Sequence, residues 1–158
     1  MESDSQDKLE LGKFIPFRLA ALAQKVTDSC AEMYSRQFGV TIAQWRVLAV
    51  LAEHETLHSK DVGNIASMDK SKVSRAVQQL EDRQLLTRQK DPSDNRASFL
   101  TLTTEGLELY FKIVPQVRLW EEEFMSGVDE SEHGKVLEFI EQLETTVNKI
   151  ALRRPVLK

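Results

Sequence analysis

Apolar residues recur every three or four positions between Phe14 and Phe38, and this spacing predicts one long amphipathic helix. Its apolar positions are Ile15, Leu19, Leu22, Val26, Cys30 and Met33. Gly39 is expected to end this helix. Thr41, followed three residues later by Gln44, predicts a capping box at the start of a second helix, whose pattern breaks at residues 54–55.

Two short helices follow and are expected to form a helix-turn-helix. Ser59 is predicted to be the N-cap of the first and Asp69 the N-cap of the second. The apolar positions are Val62, Ile65 and Ala66 in the first helix and Val73, Ala76, Val77 and Leu80 in the second. The other positions of the second helix are mostly polar or cationic, so one of its faces is expected to stay open.

Beyond residue 86 the pattern of apolar residues changes from helical to alternating. Residues 87–90 and 98–102 are predicted to form two strands, because the segment 91–97 between them is rich in turn-forming residues. A helix followed directly by a hairpin with a cationic tip is typical of a winged helix-turn-helix. We therefore expect a mainly α (α+β) fold in which residues 41–103 form this domain.

Two more helices complete the chain. Thr103 or Thr104 is expected to cap the fifth helix, and Pro115 is expected to kink it. The apolar side of this helix is predicted to comprise Leu107, Tyr110, Phe111 and Val114. Asp129, with Glu132 three residues later, predicts a variant capping box before the last helix. The apolar positions of the last helix are Val136, Ile140, Leu143, Val147 and Ile150.

The spacing in the last helix averages about 3.5 residues, which is typical of helices that pack along a coiled-coil-like seam. The long helices at the two ends of the chain exceed what a small helix-turn-helix needs for its own core. We infer dimerisation, with residues 1–11 as a flexible tail and residues 12–40 and 104–152 as dimerisation helices. The alternative is that these helices pack on each other within one chain, because the spacing of apolar residues does not determine which helix packs against the seam.

The composition allows a globular protein of about one domain: the 158 residues are 41% hydrophobic and 29% charged. The net charge is −4, but residues 59–96 hold eight Lys and Arg against six Asp and Glu, whereas residues 105–150 hold four against eleven. A local cationic face can still bind a polyanion. The absence of a long apolar run or a signal-like block, together with Cys30 as the only cysteine, favours a cytoplasmic protein without membrane contact.

Three segments carry a resemblance to a known family. Residues 41–48 look like its second-helix signature, residues 71–81 look like its recognition helix, and the wing pattern D-x-R-x5-L-T-x-x-G is met at every fixed position. Those fixed positions are Asp94, Arg96, Leu102, Thr103 and Gly106. Over residues 12–150 the chain resembles the MarR (multiple antibiotic resistance regulator) family of bacterial transcription regulators.

The resemblance implies an obligate homodimer, interleaved through its first, fifth and sixth helices, with one winged helix in each subunit. It also implies a recognition helix in the major groove of DNA, a wing arginine in the minor groove, and repression as the usual outcome. Gln84 departs from the family, which usually has glycine where the recognition helix ends. Because a left-handed non-glycine residue costs about 1 kcal/mol, we expect the helix to end a little differently here.

The open face of the recognition helix and the hairpin are expected to bind double-stranded DNA at a palindromic operator. Lys72 and Arg75 are predicted to read bases, since their side chains can donate to guanine O6 and N7. Arg96 is predicted to enter the minor groove, and Asp94 to orient an arginine. The predicted DNA-contacting residues are Lys70, Ser71, Lys72, Ser74, Arg75, Gln78, Arg88, Lys90, Asn95 and Arg96. The alternative for any one of these charges is a solvated face.

The resemblance also implies a small effector, often aromatic or anionic, bound between the dimer helices and the winged domain. The candidate lining residues are Phe14, Phe17, Arg18, Trp45, Arg46, Tyr110 and Phe111. Arg18 or Arg46 could anchor a carboxylate. The alternative, that these aromatic residues are ordinary core, stays open.

The segment 54–58 has the form H-E-x-x-H, which in zinc proteases lies on one continuous helix. Because Ser59 is expected to start a new helix, we predict no metalloprotease and no bound metal. No other catalytic motif or cofactor fingerprint is found, so no enzyme and no cofactor are predicted. Zinc sensing by His54 and His58, thiol sensing by Cys30, and a winged helix that binds a protein instead of DNA are the alternatives. Cys30 is expected to be a small buried apolar residue.

Overall fold

The computed structural model describes residues 8–94 and 97–153, and in these residues the expected mainly helical fold with a small sheet is confirmed. The elements are α1 (Ile15–Phe38), α2 (Ile42–His54), β1 (Thr56–His58), α3 (Ser59–Ile65), α4 (Lys70–Asp82), β2 (Leu86–Lys90), β3 (Ser98–Leu102), α5 (Thr104–Met125), a 3-10 helix (Glu130–Glu132) and α6 (His133–Arg153). The chain divides into two compact units, Met1–Val117 and Arg118–Lys158.

The signals predicted at the junction of α1 and α2 are confirmed. Gly39 ends α1 in the left-handed conformation, with φ 60°. The Thr41 hydroxyl accepts the Gln44 N–H at 3.2 Å, while the Thr41 N–H donates to Gln44 Oε1 at 3.0 Å. The Arg83 guanidinium, just after α4, donates to the Gly39 carbonyl at 3.1 Å and ties the end of α4 to this junction.

The helix α4 forms as predicted. The buried stripe comprises Val73, Ala76, Val77 and Leu80. Asp69 caps the helix, its carboxylate accepting the Lys72 N–H at 2.8 Å. Because the stripe packs into the core of the first unit, it fixes which side of α4 faces solvent.

The helix before it, α3, differs from the prediction in two respects. Ser59 is the first helical residue rather than the N-cap, which is His58 and makes no side-chain cap hydrogen bond. Ile65 was expected to be buried but is 47% exposed, whereas Val62 and Ala66 are buried. A helix of seven residues has only about two turns, so it presents one narrow stripe to the core.

The sheet has the strand order β1-β3-β2 with antiparallel pairing throughout. The predicted hairpin of β2 and β3 is confirmed, with Arg88 opposite Leu100 and Lys90 opposite Ser98. Strand β1, which pairs with β3 through Leu57 opposite Leu100, was not predicted. Three residues are too few to show an alternating pattern in the sequence.

The end of α4 contradicts the expectation for Gln84. Its φ is 60°, so the left-handed conformation is kept although the residue is not glycine. The Gln84 N–H donates to the Glu81 carbonyl and the Leu85 N–H to the Leu80 carbonyl, both at 2.9 Å, which forms a Schellman motif. The Thr103 hydroxyl donates to the Gln84 carbonyl at 2.8 Å. These bonds hold a conformation that costs a non-glycine residue about 1 kcal/mol.

Thr103, rather than Thr104, is the residue that caps α5. Its hydroxyl accepts the Gly106 N–H at 3.0 Å. Gly106 is required at this position because a Cβ would lie 2.0 Å from the Leu85 carbonyl oxygen. The close approach of α5 to the start of the hairpin therefore depends on a residue without a side chain.

The predicted apolar side of α5 is partly exposed in the single chain. Phe111 is 65% exposed and Leu107 is 37% exposed, whereas Ile113 is fully buried and Leu109 packs against the same core. The apolar residues of α5 therefore cover two sides of the helix, and only one side faces the core of this unit. The helix continues through Pro115 to Met125, and a kink at the proline stays a prediction.

In the second unit Asp129 acts as a cap, as predicted, and accepts the Ser131 N–H at 2.9 Å. The first turn is the 3-10 helix, and Glu132 pairs with Lys135 at 3.1 Å. None of the residues described in α6 is buried in the single chain. In its predicted seam, Ile140, Val147 and Ile150 are 45%, 61% and 46% exposed, respectively.

Candidate nucleic-acid interface

The solvent-facing surface of α4 is polar and cationic. At about 100° per residue, the side directly opposite the buried stripe comprises Ser71, Arg75, Gln78 and Asp82, and Ser74 lies about 70° from the centre of this side. Lys72 and Gln79 lie on one flank, and Lys70 lies on the other. All of these residues are exposed, which confirms that they lie off the buried stripe.

Arg75 carries the least compensated charge at the centre of this surface. Its Nε lies 3.5 Å from the Ser71 carbonyl, and the ion pairs of the described residues include none for Arg75. The Lys72 ammonium, in contrast, lies 3.5 Å from the Asp69 carboxylate. The backbone N–H of Lys72 lowers the pKa of Asp69, so this carboxylate stays ionised and partly offsets the lysine charge.

Two other predicted DNA-contacting side chains already have partners. Gln78 Nε2 donates to Asp82 Oδ1 at 2.9 Å. The Arg88 guanidinium on β2 lies 3.2 Å from the Glu81 carboxylate of α4, and both side chains are 34% exposed. The Arg88–Glu81 pair links the hairpin to α4, so Arg88 can orient the hairpin relative to α4 as well as contact DNA.

The hairpin itself places Lys90 at the end of β2, where it is exposed and pairs with Ser98 in the strand register. The Asp94 carbonyl accepts the Ala97 N–H at 2.9 Å. Asn95 and Arg96, predicted to contact DNA, lie outside the described residues. The supporting role of Asp94 toward an arginine therefore stays a prediction.

The H-E-x-x-H segment does not lie on one helix. His54 ends α2, Glu55 has φ 62°, and His58 lies on β1. His58 Nε2 is instead 3.5 Å from the carboxylate of Asp91, and its ring lies 4.0 Å from that of Phe99. The prediction that the two histidines are not presented as a zinc-protease pair is therefore confirmed.

The loop end of the hairpin contains a buried carboxylate that the sequence did not indicate. Asp91 is only 8% exposed and accepts the hydroxyl and the N–H of Ser93 at 2.6 and 2.7 Å. These hydrogen bonds lower the pKa of Asp91, with a smaller contribution from His58. The arrangement orients the start of the wing loop next to β3.

Within residues 8–94 and 97–153, no group of three or more His, Cys, Asp or Glu side chains could hold a metal ion. None of the helices in these ranges is long and apolar enough to span a membrane. Cys30 is half-buried against the core, and burial raises the pKa of its thiol. A raised pKa lowers the thiolate fraction, as expected for a cysteine that packs as an apolar residue.

One contact between α2 and α4 was not predicted. Gln44, which is 5% exposed, uses its Oε1 in the capping box and donates from its Nε2 to Gln79 Oε1 at 3.0 Å. Sequence reasoning identified the capping box but could not indicate that its glutamine also contacts the recognition helix. Gln79 is exposed and was not among the predicted DNA-contacting residues.

A cleft of about 580 Å³ lies between α1 and the helix-turn-helix. Its cationic side chains are Arg46, Lys72 and Arg75, and no carboxylate lines it in the part of the chain that is described. Ala20 and Ala23 of α1 and Met68 contribute apolar surface. Of the residues predicted to line an effector site, Arg46 is the one that lies here.

Three other predicted effector residues meet in an aromatic cluster. The ring centroid of Trp45 is 5.7 Å from that of Tyr110, and Tyr110 is 5.4 Å from Phe111. Tyr34, which was not predicted, joins the cluster 5.6 Å from Trp45, and burial raises its pKa to about 12.

The remaining three predicted effector residues, Phe14, Phe17 and Arg18, are exposed on the first turns of α1 and at its N-cap. None of the ring contacts described for the cluster includes Phe14 or Phe17. Together with the position of Arg46 in the cleft, this divides the predicted effector residues among three places in the first unit.

Comparison with known proteins agrees with this fold. A model of the MarR family matches residues 38–97. The HTH-type transcriptional regulator FarR of Neisseria gonorrhoeae is 36% identical over 81 residues, which cover 51% of this chain and 56% of FarR. The chain thus spans little more than half the length of this curated relative.

Solved structures match over more of the chain. A MarR/EmrR family transcriptional regulator from Acinetobacter sp. ADP1 superposes with a TM-score of 0.80 at 23% identity, covering 89% of this chain and 99% of that one. NadR in complex with 4-hydroxyphenylacetate superposes with a TM-score of 0.68 at 26% identity, covering 95% and 99%. Residues 38–97 therefore match the MarR family, and these solved structures share the fold over most of the chain.

Proposed function

We propose that this chain is a homodimeric, sequence-specific DNA-binding transcription regulator that acts as a repressor in the cytoplasm. The observation that carries the proposal is the exposed face of α4, with Arg75, which has no ion pair among the described residues, at its centre. An α-helix fits the major groove of DNA, and the backbone N–H groups at its start favour phosphate. The similarity to FarR, a transcriptional regulator by name, supports the same reading.

The proposed dimer is supported by the apolar surface that the single chain leaves exposed. Ile15 and Leu22 of α1 are 59% and 50% exposed, Leu119 of α5 is 64% exposed, and Val147 of α6 is 61% exposed. Monomeric proteins seldom expose this much apolar surface without a partner. A two-fold dimer would present two copies of α4, as recognition of a palindromic operator requires.

Measurement of DNA affinity against salt tests the proposed function. The probe is a duplex selected from a random-sequence pool by the wild-type chain, and binding is followed by band shift between 50 and about 300 mM salt. We expect log K to fall steeply and linearly with log salt, because each neutralised phosphate releases counterions. Failure to select a duplex, or an affinity independent of salt, would favour the rival function, a winged helix that binds a protein.

We further propose that a small aromatic carboxylate releases the protein from DNA. The cleft carries Arg46, Lys72 and Arg75 without a described carboxylate, and its volume of about 580 Å³ lies within the range typical of ligand sites. NadR, which resembles this chain, binds 4-hydroxyphenylacetate. Because Lys72 and Arg75 belong to the proposed DNA-contacting set, a carboxylate in the cleft would compete with DNA for the same charges.

The variant Arg46→Ala tests this effector site. We expect 4-hydroxyphenylacetate at millimolar concentration to release the wild-type chain from DNA, and the variant to need at least about tenfold more, because a charge-assisted hydrogen bond is lost. Isothermal titration calorimetry without DNA measures the affinities of the wild-type chain and the variant for 4-hydroxyphenylacetate. Arg18→Ala is the matched control, since Arg18 is exposed on α1 outside the cleft lining. An unchanged response in Arg46→Ala, or an equal loss in Arg18→Ala, would contradict the assignment.

A further inference from the structure

The hydrogen bonds of Gln44 determine which end of the Gln79 amide faces solvent. The backbone N–H of Thr41 can only donate, so the Gln44 atom that faces it at 3.0 Å must be the carbonyl oxygen. The other end of the Gln44 side chain is then its NH2 group, which also only donates. Gln79 must therefore present its carbonyl oxygen to Gln44 at 3.0 Å.

The consequence is that Gln79 turns its NH2 group away from Gln44. Gln44 is 5% exposed and fixed at both ends, whereas Gln79 is exposed on the flank of α4, one turn after Arg75. Lys72 and Arg75 line the same side of the helix and also present only donors. This flank of α4 therefore presents hydrogen-bond donors, and Gln79 adds one more donor without adding a charge.

We propose that Gln79 donates a hydrogen bond to a phosphate oxygen of the DNA backbone and that Gln44 is the positioning residue that sets the direction of this donor. A phosphate is favoured over a base because Gln79 lies on the flank near the C-terminal end of α4, whereas base edges are contacted mainly by the first turns of a recognition helix. The inference rests on the proposed DNA-binding function, and it names one contact and its orienting partner.

The substitution Gln44→Glu is designed to reverse the direction of the Gln79 amide. A glutamate keeps the capping box, because one carboxylate oxygen still accepts the Thr41 N–H. Its second oxygen can only accept, so Gln79 must rotate its NH2 group toward residue 44 and its carbonyl toward DNA. We expect the DNA affinity at pH 8 to fall at least about tenfold, since a donor to phosphate becomes an acceptor in both subunits. Because residue 44 is 5% exposed, the new carboxylate is also expected to lower the melting temperature, so binding is measured at a temperature at which circular dichroism shows the variant to be folded.

The variant Gln79→Ala, alone and combined with Gln44→Glu, completes the experiment. We expect Gln79→Ala to weaken binding by a similar factor on the selected duplex and on mismatched duplexes, with an unchanged salt slope, because a neutral amide releases no counterions. In the Gln79→Ala background, Gln44→Glu should have no further effect, which excludes the added charge as the cause.

Three results separate the possible failures. Wild-type affinity in Gln44→Glu, or an equal loss in the presence and absence of Gln79, would overturn the positioning role of Gln44. A loss in Gln79→Ala confined to particular base pairs would overturn the phosphate contact. Absence of DNA binding by the wild-type chain would overturn the proposed function itself.

Discussion

Replacement of Ile140 and Val147 with aspartate is expected to convert the proposed dimer into monomers and to abolish tight binding to a palindromic duplex. Both side chains lie on the seam of α6 and are 45% and 61% exposed in the single chain. In a dimer they would be covered, and each of the four buried carboxylates without a partner would cost more than the about 1–3 kcal/mol of an unpartnered neutral polar group. We expect the dimer dissociation constant to rise at least about 100-fold, measured by sedimentation.

The loss of DNA affinity should be at least as large, because a monomer contacts one half-site where the dimer contacts two. The matched control is the double variant Gln142→Asp and Thr145→Asp, which adds the same charge to exposed polar positions of the same helix. The control should remain a dimer and bind DNA. If the seam variant stays dimeric while its circular dichroism is unchanged, α6 does not form the dimer interface.

The single variant Val147→Asp provides a second test in case the double seam variant does not fold. It adds only one charge to α6 and should weaken the dimer in the same direction but by a smaller factor. The measured molecular mass distinguishes two cases: α6 packs against a second copy of the chain, or α6 packs against other helices of its own chain. In the second case, the substitutions would lower the melting temperature without changing the molecular mass in solution.

Signals that act within a few residues were predicted correctly from the sequence. The capping box of Thr41 and Gln44, the Asp69 cap and the buried stripe of α4 all depend on spacings of three or four residues along one helix. Such spacings decide which hydrogen bonds and which face are available before any tertiary contact forms. For the same reason, the open face of α4 could be predicted without a structure.

Features that depend on distant partners were not predicted. Strand β1 exists because β3 supplies its hydrogen bonds 45 residues further along, as between Thr56 and Thr101. The bond between Gln44 and Gln79 joins residues 35 positions apart, and neither residue alone indicates it. The exposed side of α5 could not be predicted for the same reason. Periodicity locates an apolar face, such as the one that includes Phe111, but does not indicate which element packs against it.

The variant Arg75→Ala is expected to weaken DNA binding by about 1–3 kcal/mol for each half-site and to relax the preference at particular base pairs. Arg75 lies opposite the buried stripe of α4, and its charge is not offset by a carboxylate among the described ion pairs. An arginine at this position can donate two parallel bonds to guanine O6 and N7, which a lysine cannot reproduce. Arg75→Lys should therefore retain the salt slope better than the sequence preference.

Two other arginines separate base reading from a general loss of charge. Arg36 on α1 is exposed and pairs with Glu32, so Arg36→Ala should leave DNA affinity unchanged. Arg88 is paired with Glu81 at 3.2 Å, so Arg88→Ala should weaken binding less than Arg75→Ala and equally on all sequences. Affinities for the selected duplex and its single-base mismatches, measured at one salt concentration, provide the comparison. An Arg75→Ala variant that loses affinity equally on every duplex would instead make Arg75 a phosphate contact, and the base reading would then have to come from other side chains on the exposed face of α4.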